Sequence, residues 1–432
     1  MTDIYEIAEY TLEALKKSGA DAAQCIVSKS KKDELNVDSG NFSLMRSTFN
    51  TSISMKAIKD GKKGVTSINQ ATKEAIDEAA AQCISAAQSS VPDEAEQIAP
   101  FTAKAEYKTG VFEPELDKLF DRIEEFMSQT AAEYPKVILE QLISDYEHSE
   151  KLYMNTNGTS LKYEHGEYSF NTKFSAHEGE KASSFNGYFC ALDSLDKPFM
   201  DAGMQRQLLA ESEKQLDTVS PSEKFVGRVI YSPDCFNELL QTALENFASS
   251  GVLIDGTSPW KDALNTKVAS EKLNLRSVPL DGRTVVGQRF TSDGYPVEDM
   301  DIIIDGVLKT FILSQYGANK TGFPRSLNSG NNLEVLPGDK ALEEMISGID
   351  RGLIVNRFSG GQPSSNGDFS GVAKNSFLIE NGKVVSAVSE TMISGNIIDM
   401  LNNIVAVSKE QTTDGLSFMP WAEFDGVTVS GK

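Results

Sequence analysis

The chain has 432 residues, a hydrophobic fraction of 40% and a formal net charge of −22. This length exceeds what one hydrophobic core usually organises, so we expect two or three domains. The negative net charge argues against nucleic-acid binding, which depends on lysine and arginine contacts to phosphate. No apolar run reaches the ~18 residues of a membrane-spanning helix.

The N-terminal segment has acids scattered through it and lacks the apolar core of a signal peptide, so we expect a cytoplasmic protein. The chain has four cysteines, none of which forms a C-x-x-C pair: Cys25, Cys83, Cys190 and Cys235. Since Cys25 and Cys83 stand among apolar residues, reduced thiols packed in the core are the favoured interpretation.

The N-terminal region predicts a helix followed by strands. Apolar residues recur at helical spacing between Ile4 and Leu15, Thr2 is a candidate N-cap, and Gly19 suits the position after the helix end. Asp60-Gly61 is typical of a tight hairpin turn because glycine tolerates positive φ. The strands are expected at residues 23–29, 34–38, 51–58 and 64–68, with a further helix at 73–88.

The middle of the chain predicts a connection, two helices and a strand-rich stretch. A boundary is expected near residues 218–224, where Ser-Pro-Ser interrupts the pattern. The expected segments are a linker over residues 89–108, helices at 115–133 and 204–216, strands within 137–192, and turns at 155–158 and 165–167.

The last third predicts a strand, one long helix and many short strands. Pro233 suits the first turn of a helix over residues 233–249, which follows a strand at 226–231. Two hairpins, at residues 302–312 and 377–388, centre on Asp-Gly and Asn-Gly turns. The fold class is therefore α+β. We expect an N-terminal domain over residues 1–218, with antiparallel strands flanked by helices, and a β-rich C-terminal domain with few helices over residues 219–432. Whether the N-terminal domain is divided into two near residues 90–114 stays open.

The residues alone give no catalytic constellation. The three histidines, His148, His165 and His177, form no H-E-x-x-H motif. His177 and Glu178 make the one histidine–acid cluster, and a solvated loop is favoured there because no second ligand is near. Residues 359–368 are glycine-rich but lack the Gly-Lys-Ser/Thr of a phosphate loop, and no G-x-S-x-G occurs.

A series of C-terminal motifs resembles the PmbA/TldE branch of the TldD/PmbA family, which also carries the label "modulator of DNA gyrase". The resemblance is specific in this half of the chain and diffuse over residues 1–220. The motifs that carry it are, in chain order, IIDGVLK at 303–309, YGANKTG at 316–322, LPGD at 336–339, GLIV at 352–355, NGDFS at 366–370, FLIENG at 377–382, ISGN at 393–396 and DML at 399–401.

The resemblance implies a place in a peptidase system. TldD-type members resemble zinc metallopeptidases, with an H-E-x-x-x-H helix and a downstream cysteine as the third ligand. PmbA/TldE-type members lack these ligands and associate with a TldD-type subunit. Together the two are linked to cleavage of unfolded or extended peptides, including maturation of a microcin-type propeptide and turnover of an antitoxin.

The metal-site helix can be located from the Gly-Thr-Ser at 256–258. Counting back from it places Gln241 and Asn246 where the family has its two histidines, and Thr242 where it has the general-base glutamate. Glu245 is the one acid in this segment, and no cysteine follows Cys235. We therefore expect no zinc or other cofactor in this chain, and zinc only in a TldD-type partner.

Three hypotheses remain open. The first is a metal-free subunit that binds extended peptide, pairs with a TldD-type subunit and forms a homodimer when alone. The second is a stand-alone hydrolase with non-metal chemistry, such as an acid pair in a pocket with shifted pKa values. The third is an adaptor that regulates another protein, such as DNA gyrase, through a flat apolar patch. The catalytic residues stay unassigned.

Overall fold

The computed structural model describes residues 3–221, 223–361, 363–389 and 391–431. Within these ranges the chain forms two large sheets flanked by helices, which confirms the α+β class. The helices are α1 (Ile4–Lys17), α2 (Lys73–Ser89), α3 (Leu116–Glu133), α4 (Gln205–Lys214), α5 (Pro233–Ala248), α6 (Ser250–Ile254), α7 (Gln315–Thr321), α8 (Leu342–Ser347) and α9 (Ile397–Asn402).

The first sheet contains the strands from the N-terminal half of the chain. Its order is β3-β2-β1-β5-β6-β4, and β7 and β8 also pair with β6. These strands are β1 (Ala22–Asp38), β2 (Asn41–Lys59), β3 (Lys62–Ile68), β4 (Lys104–Gly110), β5 (Val137–Asn155), β6 (Ser160–Glu178), β7 (Lys181–Ala182) and β8 (Asn186–Leu192).

The second sheet is built from the C-terminal half. Its main order is β13-β12-β11-β14-β22-β10-β15-β18-β19-β9, with β16, β17, β20 and β21 attached beside it. These strands are β9 (Thr218–Val219), β10 (Phe225–Tyr231), β11 (Leu275–Ser277), β12 (Met300–Ile304), β13 (Val307–Leu308), β14 (Leu333–Val335), β15 (Arg351–Val355), β16 (Arg357–Gly360), β17 (Asp368–Lys374), β18 (Ser376–Glu380), β19 (Lys383–Val388), β20 (Met392–Asn396), β21 (Ile404–Thr413) and β22 (Phe418–Ser430).

The first helix follows the predicted apolar stripe, but its cap differs. Asp3 is the N-cap, and its carboxylate accepts a hydrogen bond from the Glu6 backbone N–H at 2.9 Å. The predicted cap, Thr2, lies outside the described residues. Gly19 has a φ of 102°, a conformation that favours glycine, which confirms its place after the helix end.

The N-terminal strands are longer than the sequence pattern predicts. The two short strands expected at 23–29 and 34–38 are one continuous strand, β1, and β2 starts at Asn41, ten residues before the predicted strand. β1 is paired along both edges, with β2 and with β5, and these hydrogen bonds extend the strand through its polar centre. The Asp60-Gly61 turn is confirmed, with φ values of 52° and 69°.

Two predictions in the middle of the chain are wrong. The segment at 165–167 is not a turn, since it lies inside β6. Gly166 is needed there for close approach, because a Cβ atom at this position would lie 1.8 Å from the Val111 carbonyl oxygen. The expected linker over 89–108 also ends early, because β4 begins at Lys104 and pairs in parallel with β6.

The C-terminal elements around the long helix match the predictions. Strand β10 leads into α5, and both Asp305-Gly306 and Asn381-Gly382 form hairpin turns with positive φ. One buried cluster contains side chains from both halves of the chain, including Phe126 and Trp421. The boundary near 218–224 stays a prediction. In the described parts of the chain, none of the helices combines the length and apolarity needed to cross a membrane.

Candidate functional site

Helix α5 has one buried face and one polar face. Its apolar side chains pack on the second sheet, and the ring of Phe236 meets that of Phe424 edge-on at a centroid distance of 5.8 Å. The buried positions of α5 are Pro233, Cys235, Phe236, Leu239, Leu240, Ala243, Leu244, Phe247 and Ala248. This spacing leaves Asp234, Glu238 and Gln241 on the outward face.

The outward face of α5 borders a cleft between the two halves of the chain. One cavity of about 360 Å³ lies between α5 and the β8 segment Gly187–Phe189. A second, of about 530 Å³, continues past Gln241 toward Lys151 and Tyr163 on the first sheet. Both cavities have Asn237, Gln241 and Asp414 in their walls, so they adjoin along the helix, and we call them together the cleft.

Hydrogen bonds between the two halves hold the cleft walls in place. The Tyr188 hydroxyl donates to the Thr413 carbonyl at 3.1 Å, and the Ala191 backbone N–H donates to the Asp414 carbonyl at 2.8 Å. On the other side of α5, the Arg357 guanidinium donates to the Phe185 carbonyl at 2.7 Å. The two halves are therefore joined by direct hydrogen bonds on both sides of α5.

The cleft is acidic along α5. Asp234 is exposed to the cleft, yet protein surrounds it on most sides. This desolvation, followed by the charge of Asp414, raises its pKa to about 6. Burial also raises the pKa of Glu238, and the charge of Arg357 opposes that shift. Asp414 is tied locally, since one of its carboxylate oxygens accepts from the Ser417 backbone N–H at 2.7 Å.

Basic groups border the cleft as well. Lys173 on the first sheet and Arg357 on the second line a third cavity of about 570 Å³ that also includes Asp234 and Glu238. Lys151 lies further along, 5.7 Å from the centroid of the Phe290 ring, and burial lowers its pKa. A cleft that contains both acids and bases suits a ligand that bears both charges, as a peptide does.

A smaller pocket of about 260 Å³ opens beside Thr242. Its walls combine aromatic and aliphatic side chains with Ser359, two glycines and the Glu238 carboxylate. The apolar side chains that line it are Tyr231, Cys235, Leu239, Phe358, Pro363, Phe369 and Ile397. A pocket of this composition fits a single side chain with an apolar body.

The structure brings two of the four predicted site residues to the cleft. Gln241 lines the main cleft and Thr242 lines the small pocket, whereas Glu245 and Asn246 lie one turn further along α5 and line none of these cavities. The Thr242 hydroxyl donates to the Glu238 carbonyl at 2.8 Å, so it is engaged within the helix.

These residues do not fit a zinc ion. Zinc in proteins is held by imidazole, thiolate or carboxylate, and Gln241, Thr242 and Asn246 offer amides and a hydroxyl. The nearby thiol of Cys235 is buried, and that burial raises its pKa well above the usual range. Among the described residues, no three His, Cys, Asp or Glu side chains converge on a point that suits a metal ion.

The histidines lie on the first sheet. His165 is buried in β6, its Nε2 is 3.1 Å from a carboxylate oxygen of Glu167, and burial lowers its pKa. His148 is 3.1 Å from the Glu164 carboxylate on the other face. His177 and Glu178 are exposed, as expected, but the predicted loop is wrong: they are the last two residues of β6 and pair with Ala182 and Lys181 of β7 before a turn at Gly179.

Sequence reasoning missed the cleft residues Asp234, Glu238 and Asp414. The spacing of Asp234, Glu238 and Gln241 along one helix face was a usable signal, because these residues lie opposite the buried stripe. On its own, that pattern is equally typical of a solvated helix face. The second wall comes from β8 and β5, which are distant in sequence.

Comparison with known protein families gives two matches along the chain. Residues 224–431 match the PmbA/TldA metallopeptidase C-terminal domain, and residues 23–87 match the PmbA/TldA metallopeptidase domain 1. Together the two matches cover well over half of the chain.

Individual relatives agree with these matches. A metalloprotease PmbA from Escherichia coli O157:H7 is 32% identical over 155 residues, which are 35% of this chain and 34% of the relative. A zinc metalloprotease TldD homologue from Saccharolobus solfataricus is 28% identical over 220 residues, 47% of this chain and 49% of the relative. The chain thus spans less than two thirds of the length of these curated relatives.

Two solved structures share the fold over nearly the whole chain. TldE from Thermococcus kodakarensis superposes with a TM-score of 0.83 at 22% identity, covering 98% of this chain and 100% of the other. A Bacteroides thetaiotaomicron protein described as a modulator of DNA gyrase gives a TM-score of 0.83 at 24% identity, with 100% of both chains covered. At such identities the likeness shows a common fold.

Proposed function

This chain belongs to the PmbA/TldD metallopeptidase family, and we propose that it is a peptide-binding subunit without a zinc site of its own. One observation carries the proposal. The helix that borders the cleft has Gln241, Thr242 and Asn246 at the positions where the family resemblance implies two histidines and a glutamate. A zinc-bearing subunit of the same family would supply the chemistry.

The ligand we propose is an extended peptide in the space between β8 and α5. Among the described strands, β8 pairs only with β6, and its Gly187–Phe189 segment forms a wall of the cleft. A peptide lying there would add its backbone to the strand edge, a mode that depends little on sequence. Main-chain pairing of this kind requires the peptide to be unfolded.

Side-chain contacts would then set preferences. The carboxylates of Asp234 and Glu238 favour a peptide that has a lysine, an arginine or a free amino terminus on the α5 side. Lys173 and Arg357 favour an acid or a carboxyl terminus on the other side. The pocket beside Thr242 has the volume for one apolar side chain, so a peptide that alternates apolar and charged residues is the best match.

The proposal is tested with the purified chain, alone and mixed with a TldD-type subunit from the same source. We expect substoichiometric zinc by atomic emission and no casein cleavage by the chain alone, and cleavage in the mixture that a chelator abolishes. A fluorescent unfolded peptide should bind the chain alone. Chelator-sensitive cleavage by the chain alone, or no peptide binding, would overturn the proposal.

A second candidate function is hydrolysis by an acid pair without metal. It is favoured by Asp234, whose pKa of about 6 in the cleft is close to the value expected of a general acid, with Asp414 beside it. The discriminating result is cleavage by the chain alone that a chelator leaves intact and that Asp234→Asn abolishes. Regulation of DNA gyrase by this chain stays a prediction.

A further inference from the structure

Two basic side chains without carboxylate partners face the inner end of the cleft. Lys151 and Arg289 both line the cavity of about 530 Å³. Among the described residues, neither of them forms an ion pair, although the chain has 63 acidic and 41 basic side chains. Where acids are in such excess, two unpaired cations at one cavity indicate a place for an anionic ligand.

The strand register brings the two cations to the same patch. Lys151 on β5 is paired directly with Tyr163 on β6, so their side chains lie next to each other on one face of the first sheet. The Arg289 guanidinium carbon is 5.6 Å from the centroid of the Tyr163 ring. Lys151 and Arg289 therefore both border this tyrosine.

Both cations have hydrogen-bonding capacity to spare. In the described part of the chain, the Lys151 ammonium group forms no hydrogen bond, and burial lowers its pKa. Arg289 donates through Nη1 to the carbonyls of Pro279 and Gln288, which leaves Nε and Nη2 available. A bound anion would restore the charge stabilisation that the ammonium group loses when it leaves water.

The acids nearest to this patch are already engaged. Asp414 is the one acid in the cavity wall, and one of its carboxylate oxygens accepts from the backbone N–H groups of Leu416 and Ser417 at 2.8 Å and 2.7 Å. Along the same face of β5 the nearest acid is Glu147, four residues from Lys151, and it is paired with Lys32 at 3.1 Å. The anion that balances the patch must therefore come from a ligand.

The cleft is closed just beyond Lys151. The next residue of β5 on this face is Tyr153, and its partner on β6 is Leu161. Both side chains are fully buried in a cluster with Phe290. A chain that enters beside β8 and passes Gln241 cannot continue across the sheet in this direction, so the patch suits the end of a chain.

The other two cations of the cleft are less available. The Lys173 Nζ is 4.0 Å from the Glu140 carboxylate and 4.2 Å from the centroid of the Phe185 ring. Arg357 donates to the Phe185 carbonyl at 2.7 Å, and its charge acts on the carboxylate of Glu238. These two residues are left to contact acidic side chains of a ligand.

From these observations we propose that Lys151 and Arg289 bind the carboxylate at the C-terminus of the peptide. The inference deepens the proposed function and rests on it, since it takes the ligand of the cleft to be a peptide. It also gives the bound chain a direction. The C-terminus lies at the first sheet, and the preceding residues run back past Gln241 toward Asp234. The chain thus recognises a free end, which an internal segment of a folded protein does not offer.

The test compares three forms of one fluorescent unfolded peptide by anisotropy with the full-length chain. The first has a free C-terminal carboxylate, the second a C-terminal amide, and the third the same amide with a glutamate placed two residues before the end. The free acid should bind at least about tenfold more tightly than either amide, because a charge-assisted hydrogen bond is lost in both.

Variants assign this preference to the patch. Lys151→Met should bind all three peptides about as weakly as the wild type binds the amide, and Lys151→Arg should retain the preference for the acid. The melting temperature of Lys151→Met should not fall, since the variant removes a half-buried charge that has no partner. Lys104→Met is the matched control: it removes the same charge from an exposed position on the first sheet that lines none of the cleft cavities, and it should keep the preference.

Equal binding of the acid and the amide, or a preference that survives Lys151→Met, would overturn the inference. Tight binding of the glutamate-containing amide would also overturn it, because the patch would then recognise acidic side chains. If no peptide binds, the proposed function fails, and N-acetyl-leucine tests the patch alone. After reductive ¹³C-methylation of the lysines, the NMR signal that is missing in Lys151→Met should shift with N-acetyl-leucine but not with N-acetyl-leucinamide. The absence of that difference would refute the carboxylate site itself.

Discussion

Replacing Glu167 by glutamine should stabilise the protein at alkaline pH. Glu167 lies on β6 directly opposite Glu147 on β5, and Lys32 bridges Glu147 and Asp145 at 3.1 Å and 3.4 Å. Burial, followed by the charges of Glu147 and Asp145, raises the pKa of Glu167 to about 7. The buried His165 beside it has a lowered pKa and offers no positive charge at neutral pH.

The direction of the effect follows from proton binding. Since the folded state holds the Glu167 proton more tightly than the unfolded state, this group contributes stability below its ordinary pKa, and that contribution is lost as the pH rises through about 7. Glutamine resembles the protonated acid and avoids the loss. A shift from 4.5 to about 7 corresponds to an upper limit of about 3.4 kcal/mol at alkaline pH.

The assay is urea denaturation followed by circular dichroism at about pH 5 and about pH 8.5, on either side of the transition. Glu167→Gln should gain stability over the wild type at the higher pH and little at the lower one. Glu164→Gln, on the same strand, is the matched control. Burial raises the pKa of Glu164, but hydrogen bonds from His148 and Lys108 outweigh burial and lower the pKa below its ordinary value. The ionised carboxylate therefore stabilises the fold, and Glu164→Gln should lose stability at the higher pH. An equal change for Glu167→Gln at both pH values would refute the reasoning.

Three further predictions concern the fold and the cleft. Gly166→Ala should lower the free energy of unfolding by about 3 kcal/mol or more, because the new Cβ would meet a backbone carbonyl. The control is Gly251→Ala, whose Cβ meets nothing within 4 Å and which should change stability by less than about 1 kcal/mol. The melting temperatures of the two variants test this difference. Burial and a neighbouring acid hold the pKa of Asp234 near 6. The affinity for a lysine-containing peptide, measured by calorimetry, should therefore increase as the pH rises through that value. In Asp234→Asn the affinity should no longer depend on pH in this range. Gln241→His combined with Asn246→His should still carry substoichiometric zinc after dialysis, by atomic emission, because the third ligand is missing.

The elements that could be predicted from the sequence are those fixed by local rules. Helices α1, α2, α3 and α5 follow apolar residues at helical spacing, and their ends match within about two residues. The Asp-Gly and Asn-Gly hairpins were predictable because positive φ at both central residues suits few other pairs. In each case the deciding interactions lie within a few residues of one another.

The long strands could not be predicted, because their order comes from partners distant in sequence. The centre of β1 reads Lys29-Ser30-Lys31-Lys32, which shows no apolar alternation, yet it is paired on both edges. Gly166 was interpreted as a turn residue, whereas its role is to let β6 approach Val111. A glycine needed for close approach and a glycine needed for a turn look the same in a single sequence.

The candidate site combines both kinds of information. The family resemblance identified α5 and the residues Gln241 and Thr242, and the structure places both beside cavities. The residues that face Gln241 across the cleft come from β8 and β5 on the other sheet, so no pattern along α5 could indicate whether its polar face meets solvent or a ligand. The amide and hydroxyl side chains on this face can hydrogen-bond to a peptide but cannot activate water as a metal does. The proposal that this cleft holds a peptide, with cleavage left to a zinc-bearing subunit, is based on this difference.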